Sequence, residues 1–144
     1  MEPEVSLNIS AFIAQQYIPD PDQRYIAYRK IAAITSREAA LDLENEFLDR
    51  YGKLPAETRN LLEIVALKEE LKNLKITKVE QGPASLVFSF SENTPITPQQ
   101  ILLFIRNQHG KSRLLPDSRL VVETSAASAE SIFDRLKKIL LAIC

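Results

Sequence analysis

In the stretch EFLDRYGKLP two carboxylates, Glu46 and Asp49, stand three residues apart just before an Arg-Tyr-Gly stop. Paired carboxylates are what general acid and base work needs, provided burial or mutual coupling drives their pKa values apart. Turned outward, the same pair suits arginines on another surface instead. Helical projection at roughly 100° per residue decides between these uses. Ala40, Leu43, Phe47 and Tyr51 fall on one apolar stripe, while Glu38, Asp42, Glu46 and Asp49 form a ridge on nearly the opposite side. The pair therefore faces away from the core, where no pocket couples it for proton transfer. Like charges three and four residues apart repel by roughly 0.2–0.5 kcal/mol per pair. Arg37 and Arg50, which flank the ridge, are expected to relieve part of that. Read from the residues alone, a solvated face is the plain expectation and a docking patch the sharper one.

Other chemistry has little to build on. The single histidine, His109, has no second histidine or internal cysteine near it, so a zinc site would rest almost wholly on carboxylates. The surrounding NQHGK carries no nucleophile elbow, and a small enzyme built on His109 and nearby carboxylates is the remotest reading. Gly52, Gly82 and Gly110 are the only glycines, which leaves neither a phosphate-cradling loop nor a dinucleotide fingerprint. The acids of PDPD, Asp20 and Asp22, are explained by helix capping better than by a metal. Lys68, Lys72 and Lys75 project close together, with Lys78 beyond them, and form the alternative reading: an accessory DNA-binding module using a basic helix face. Glu69 and Glu70 dilute that face, and no aromatic platform for stacking bases is interleaved with it. No catalytic, cofactor-binding or metal-ligating residue is assigned, and no cofactor is expected.

The elements that position these residues are legible from caps and periodicity. A chain of 144 residues, 45% hydrophobic and 26% charged, matches one ordinary domain. Its formal net charge of −1 supplies no global field toward nucleic acid or an anionic membrane. The only cysteine is the last residue, Cys144, which suits a reducing cytoplasm and leaves an intermolecular disulfide as its expected chemistry. Apolar runs such as ILLFI fall far short of the ~20 residues of a spanning helix, and the start lacks a signal-peptide pattern, so a cytoplasmic, non-membrane protein is expected. EVSLN alternates apolar and polar residues and reads as a short strand or an extended arm, so residues 1–20 are assigned to an N-terminal extended arm. Asp20 as N-cap with Pro21 predicts a first helix from about Pro21 to Ile34. Thr35 and Glu38 predict a capping box for a second, ended by Gly52. Pro55 opens a third, whose broad apolar arc includes Leu61, Ile64, Val65, Leu67, Leu71 and Leu74. A hairpin across Gly82-Pro83 follows, then a helix capped by Thr97 with Pro98 and Gln100. A second strand pair around Pro116-Asp117 and the closing segment SAESIFDRLKKILLAI complete the order. Residues 21–144 thus read as a single α+β domain: three N-terminal helices, then a small, mostly antiparallel sheet with two further helices.

Two blocks, YIPDPDQRYIAYRKIA and LDRYGKLPAETRNLL, resemble the C-terminal domain of the bacterial transcription-repair coupling factor, the Mfd family. The Tyr-Ile-Pro-Asp entry, Arg24, Tyr28-Arg29-Lys30-Ile31, Asp49-Arg50-Tyr51-Gly52 and Leu54-Pro55 carry the likeness, which weakens in sequence beyond about Leu74. Tyr25, where the family would have an aliphatic residue, departs from the pattern and puts the packing of the first helix in question. The resemblance implies a non-catalytic regulatory domain of a transcription-coupled DNA repair translocase, whose ATP-driven motor lies elsewhere in a larger protein. It implies docking on the UvrB-like N-terminal module of that protein, in competition with the excision-repair protein UvrA. RNA polymerase and DNA are engaged only through the full-length protein. The contact residues it implies are Glu46 and Asp49, with Asp42 and Arg50 beside them, set against arginines of the partner module.

Overall fold

The computed structural model describes residues 2–124 and 131–144. The chain forms two compact units, one of Asn8–Glu70 and one of the first seven residues with Leu71–Cys144. The first unit is helical: α1 (Pro21–Ala32), α2 (Arg37–Tyr51) and α3 (Ala56–Leu74), the last continuing past the unit's end. The second holds strands β1 (Glu4–Ser6), β2 (Ile76–Gln81), β3 (Ser85–Phe90), β4 (Ser112–Leu114) and β5 (Arg119–Glu123), with helices α4 (Pro98–Asn107) and α5 (Ile132–Ile143).

In the helical unit the segment before α1 adds no helix but supplies core. Ile13 and Ile18 are buried with Ala27, Ile31, Ile34, Ala40, Leu43, Phe47, Leu54, Leu62 and Ala66. Its backbone is tied to α3: Phe12 N donates to Glu57 O at 3.1 Å, and the fully buried Thr58 hydroxyl accepts from Ala14 N at 3.3 Å and donates to Phe12 O at 3.2 Å. Asp20 caps α1 as expected, accepting from Asp22 N at 3.1 Å, but the helix closes at Ala32 because Ala33 already makes the terminal hydrogen bonds. The cap of α2 corrects the sequence expectation. Ser36, in extended conformation, accepts from Ala39 N at 3.0 Å, so the helix starts one residue later than a Thr35–Glu38 box requires. Gly52 ends α2 with φ of 87°, a conformation that costs a side chain with Cβ and costs glycine nothing. Tyr25 is 63% exposed with the Arg29 guanidinium 6.0 Å from its ring centre, so its departure from the family pattern leaves the helix packing intact.

In the second unit the sheet order is β1-β2-β3-β5-β4, with β1 parallel to β2 and every other pair antiparallel. Val79 opposite Phe88, Phe88 opposite Leu120 and Leu86 opposite Val122 place one buried apolar row across three strands. Helix α4 carries the expected capping box, Gln100 N to Thr97 Oγ1 at 3.2 Å and Thr97 N to Gln100 Oε1 at 2.7 Å. It packs on α5, whose Phe133, Leu136, Ile139, Leu140 and Ile143 are buried. Residues 128–130 of the predicted closing segment lie outside the described residues. The class is α+β with a mixed, mostly antiparallel sheet, as the segregated helix and strand signals indicate.

Candidate docking surface on the second helix

Helix α2 is seated by its apolar stripe. Ala40, Leu43 and Phe47 are buried, Phe47 to 1% exposure, and Tyr51 packs edge-on against Phe47 and Tyr17 with ring centres 6.0 and 5.7 Å apart. Three interactions fix the helix along its length. Ser36 satisfies its first turn. Arg37 bridges to α3, donating from Nη1 to Glu63 at 2.7 Å and from Nε and Nη2 to Glu70 at 3.0 and 2.9 Å. Burial opposes the Arg37 charge, but its bonds to Glu63 and Glu70 outweigh that and hold its pKa above the ordinary arginine value. At the far end the Tyr17 hydroxyl lies 2.8 Å from Gly52 O and 3.1 Å from Phe47 O, and ties the end of the helix to the segment before α1. Burial, with the neighbouring Tyr51, pushes the Tyr17 pKa up and keeps the hydroxyl a donor.

A helix held this way presents its opposite side outward. Glu38, Asp42, Glu46 and Asp49 are all exposed, the arrangement the helical projection predicts. They are not equivalent. Glu46 is engaged by Lys30 of α1, with Nζ 2.7 Å from Oε2. Among the described residues no ion pair reaches Asp42 or Asp49. Asp42 and Glu46 border a shallow groove between α1 and α2, lined also by Lys30, Ala33, Ile34, Ala39 and Leu43. Arg50 is exposed, 3.4 Å from the Gln23 side-chain oxygen and 5.5 Å from the Tyr51 ring centre. Arg37 is the correction at this site: expected to relieve the ridge, it is committed to Glu63 and Glu70 on α3. Glu44, on the flank, reaches Arg59 at 3.6 Å.

Lys30, Tyr17 and Gln23 were not legible in the sequence as neighbours of this surface. Each comes from the chain before α2, 16 to 35 residues from its partner, beyond any helical spacing. The other candidates disperse. Lys72 lies 3.5 Å from Glu2, and Lys78 lies 3.7 and 3.8 Å from Glu4 and Glu80, so acids accompany the proposed basic face. Lys68 and Lys72 stand one turn apart on α3, and Lys75 follows its last residue with φ of 53°. His109 is an exposed residue with φ of 53° just after α4. Among the described residues no group of three His, Cys, Asp or Glu is placed to hold a metal ion. No described helix is long and apolar enough to cross a membrane. Cys144 is exposed, with a thiol pKa raised by partial burial, which lowers its thiolate fraction.

The TRCF domain family model matches residues 7–101. Among curated proteins the chain is similar to the transcription-repair-coupling factors of Myxococcus xanthus (28% identity over 141 residues, 97% of this chain and 12% of that protein) and Rickettsia conorii (31% over 119 residues, 83% and 10%). The factor of Escherichia coli is 29% identical over 117 residues, 81% of this chain and 10% of its own length. The chain thus spans about a tenth of the length of the curated relatives it matches. A crystal structure of the C-terminal domain of transcription-repair coupling factor superposes with a TM-score of 0.78 at 22% identity, covering 98% of this chain and 89% of that one, and shares the fold.

Proposed function

The chain belongs to the TRCF domain family, the C-terminal domain of transcription-repair coupling factors, and from that premise we propose that its acidic α2 ridge is a reversible docking latch. In this reading the domain is non-catalytic and regulatory. It docks on the UvrB-like N-terminal module of a cytoplasmic, ATP-dependent DNA repair translocase and masks that module's UvrA-binding surface. RNA polymerase and DNA act on it only through the full-length protein, whose engagement releases the latch.

The observation that carries the reading is a rigidly mounted row of exposed carboxylates in which Asp42 and Asp49 lack an ion pair among the described residues. Such a row is slightly costly to the helix and is satisfied by cations brought from outside. Arginine suits it, since a planar guanidinium takes a carboxylate through two parallel hydrogen bonds. Glu46 and Asp49 are the primary contacts, Asp42 extends them along the groove, and Arg50 marks the boundary toward Tyr51. Each exposed ion pair is worth about 0–1 kcal/mol, so the contact opens readily. Tethering keeps it closed at rest, because a linked domain acts at an effective concentration that reaches roughly the millimolar range.

The test is Glu46→Lys with Asp49→Lys in the full-length protein. UvrA affinity is expected to rise several-fold as the closed form is lost. An affinity equal to that of the parent protein overturns the latch.

A further inference from the structure

Resting on the docking reading above, we propose that Leu41 and Leu48 form the apolar centre of the same contact, and that the surface they take is an apolar groove bordered by arginines. Leu41 is 55% exposed and Leu48 48% exposed, although α2 buries Ala40, Leu43 and Phe47 in its own unit. Single exposed leucines are ordinary on a protein surface. This pair differs in its placement. Seven residues apart, the two side chains align on one side of the helix, two turns and about 10 Å apart along its axis. They lie roughly a quarter-turn around the helix from Asp49, with the exposed Asn45 between. On the far side of the strip Glu44 is already engaged by Arg59, so the open carboxylates border it on one flank only.

The energetics call for such a centre. Exposed carboxylates meeting arginines are screened by salt and worth little each. Stable contacts instead draw their affinity from a few desolvated side chains, with a polar rim that excludes water and sets the register. A helix offering two leucines one heptad apart, edged by acids, fits a groove that receives a helix. The charge of the edge selects the occupant: a groove rimmed by carboxylates would leave Asp42 and Asp49 facing like charge, whereas one rimmed by arginines satisfies them. The acids thereby give register and reversibility, and the leucines give the part of the affinity that salt does not remove.

The experiment compares UvrA affinity for the full-length protein carrying Leu41→Gln with Leu48→Gln, for Glu46→Lys with Asp49→Lys, and for the parent, at low salt and at about 0.5 M salt, where the screening length falls to a few ångströms. Glutamine keeps length and helix propensity, and an unchanged urea midpoint confirms the fold. The leucine variant is expected to bind UvrA roughly ten-fold more tightly than the parent at both salts, the factor set by exposing two half-buried leucines at the contact. Leu41→Met with Leu48→Met is expected to behave as the parent. If the leucine variant matches the parent while charge reversal raises affinity, the acids dock without an apolar centre and the inference falls alone. If high salt brings the parent level with the charge-reversed protein, the contact is purely ionic and the inference also falls. If neither variant raises affinity, the docking reading itself is lost.

Discussion

Lys30 sets how much of the acidic ridge is left without an internal cation. Its ammonium holds Glu46 at 2.7 Å with both side chains 40–46% exposed, so an incoming arginine must displace it or share the carboxylate. Solvent screening makes the internal pair worth about 0–1 kcal/mol, and its loss should barely change folding stability. Its effect on the proposed docking would be larger in proportion, because the latch as proposed is built from contacts of that size. Lys30→Met in the full-length protein is expected to close the latch further and to lower UvrA affinity about two- to five-fold, the factor equivalent to one exposed pair. A rise in UvrA affinity would mean that Lys30 orients Glu46 for the partner and does not compete with it. Tyr25 shows the opposite case at the same scale. It departs from the family pattern, yet 63% of it faces solvent, so the departure carries no packing penalty.

At the scale of the element, α2 owes its position to its two ends as much as to its stripe. Ser36 satisfies the N-terminal turn, Arg37 ties that turn to α3, and Tyr17 with Gly52 closes the other end. Thr35 and Ser36 are adjacent cap residues of similar chemistry, and periodicity does not say which one the helix will use. The structure separates them, and so does a measurement. Ser36→Ala is expected to cost about 1 kcal/mol in urea unfolding, the usual value for losing an N-cap oxygen, while Thr35→Ala changes stability by only a few tenths. The reverse order would restore the Thr35 cap. In the proposed docking, a ridge mounted on a helix fixed at both ends would reach its partner with its side chains already spaced, which lowers the ordering cost.

For the whole molecule, charge is distributed by unit. Counting residues, Asn8–Glu70 holds eight basic and eleven acidic side chains, a net of −3, and the remaining residues hold ten and eight, a net of +2. The sum is the formal −1 of the chain, and the acidic share belongs to the unit that carries the ridge. Of the lysines considered for DNA, Lys72 and Lys78 sit beside Glu2, Glu4 and Glu80, which reduces the field of that face. Titration of the chain with labelled duplex at about 50 mM salt, where phosphate contacts are strongest, is expected to show no saturation at micromolar protein. Tight, salt-sensitive binding would return the basic-helix reading to the front.

The sequence by itself determined the local grammar of this protein. Asp20-Pro21, Thr97-Pro98-Gln100 and Gly52 announce their helix ends because caps and positive φ depend on residues within one turn. The outward direction of Glu46 and Asp49 follows from the same short range, since helical period fixes which side each residue takes. Only the tertiary structure decided who meets whom. The parallel pairing of β1 with β2, the pairing of β5 with β3, the commitment of Arg37 to α3 and the hold of Lys30 on Glu46 join residues 16 to more than 70 positions apart. No local spacing encodes those pairs, because their energies arise only after packing has brought the elements together. The outward acidic side of α2 was therefore legible in the chain, and which of its carboxylates are open or occupied was not.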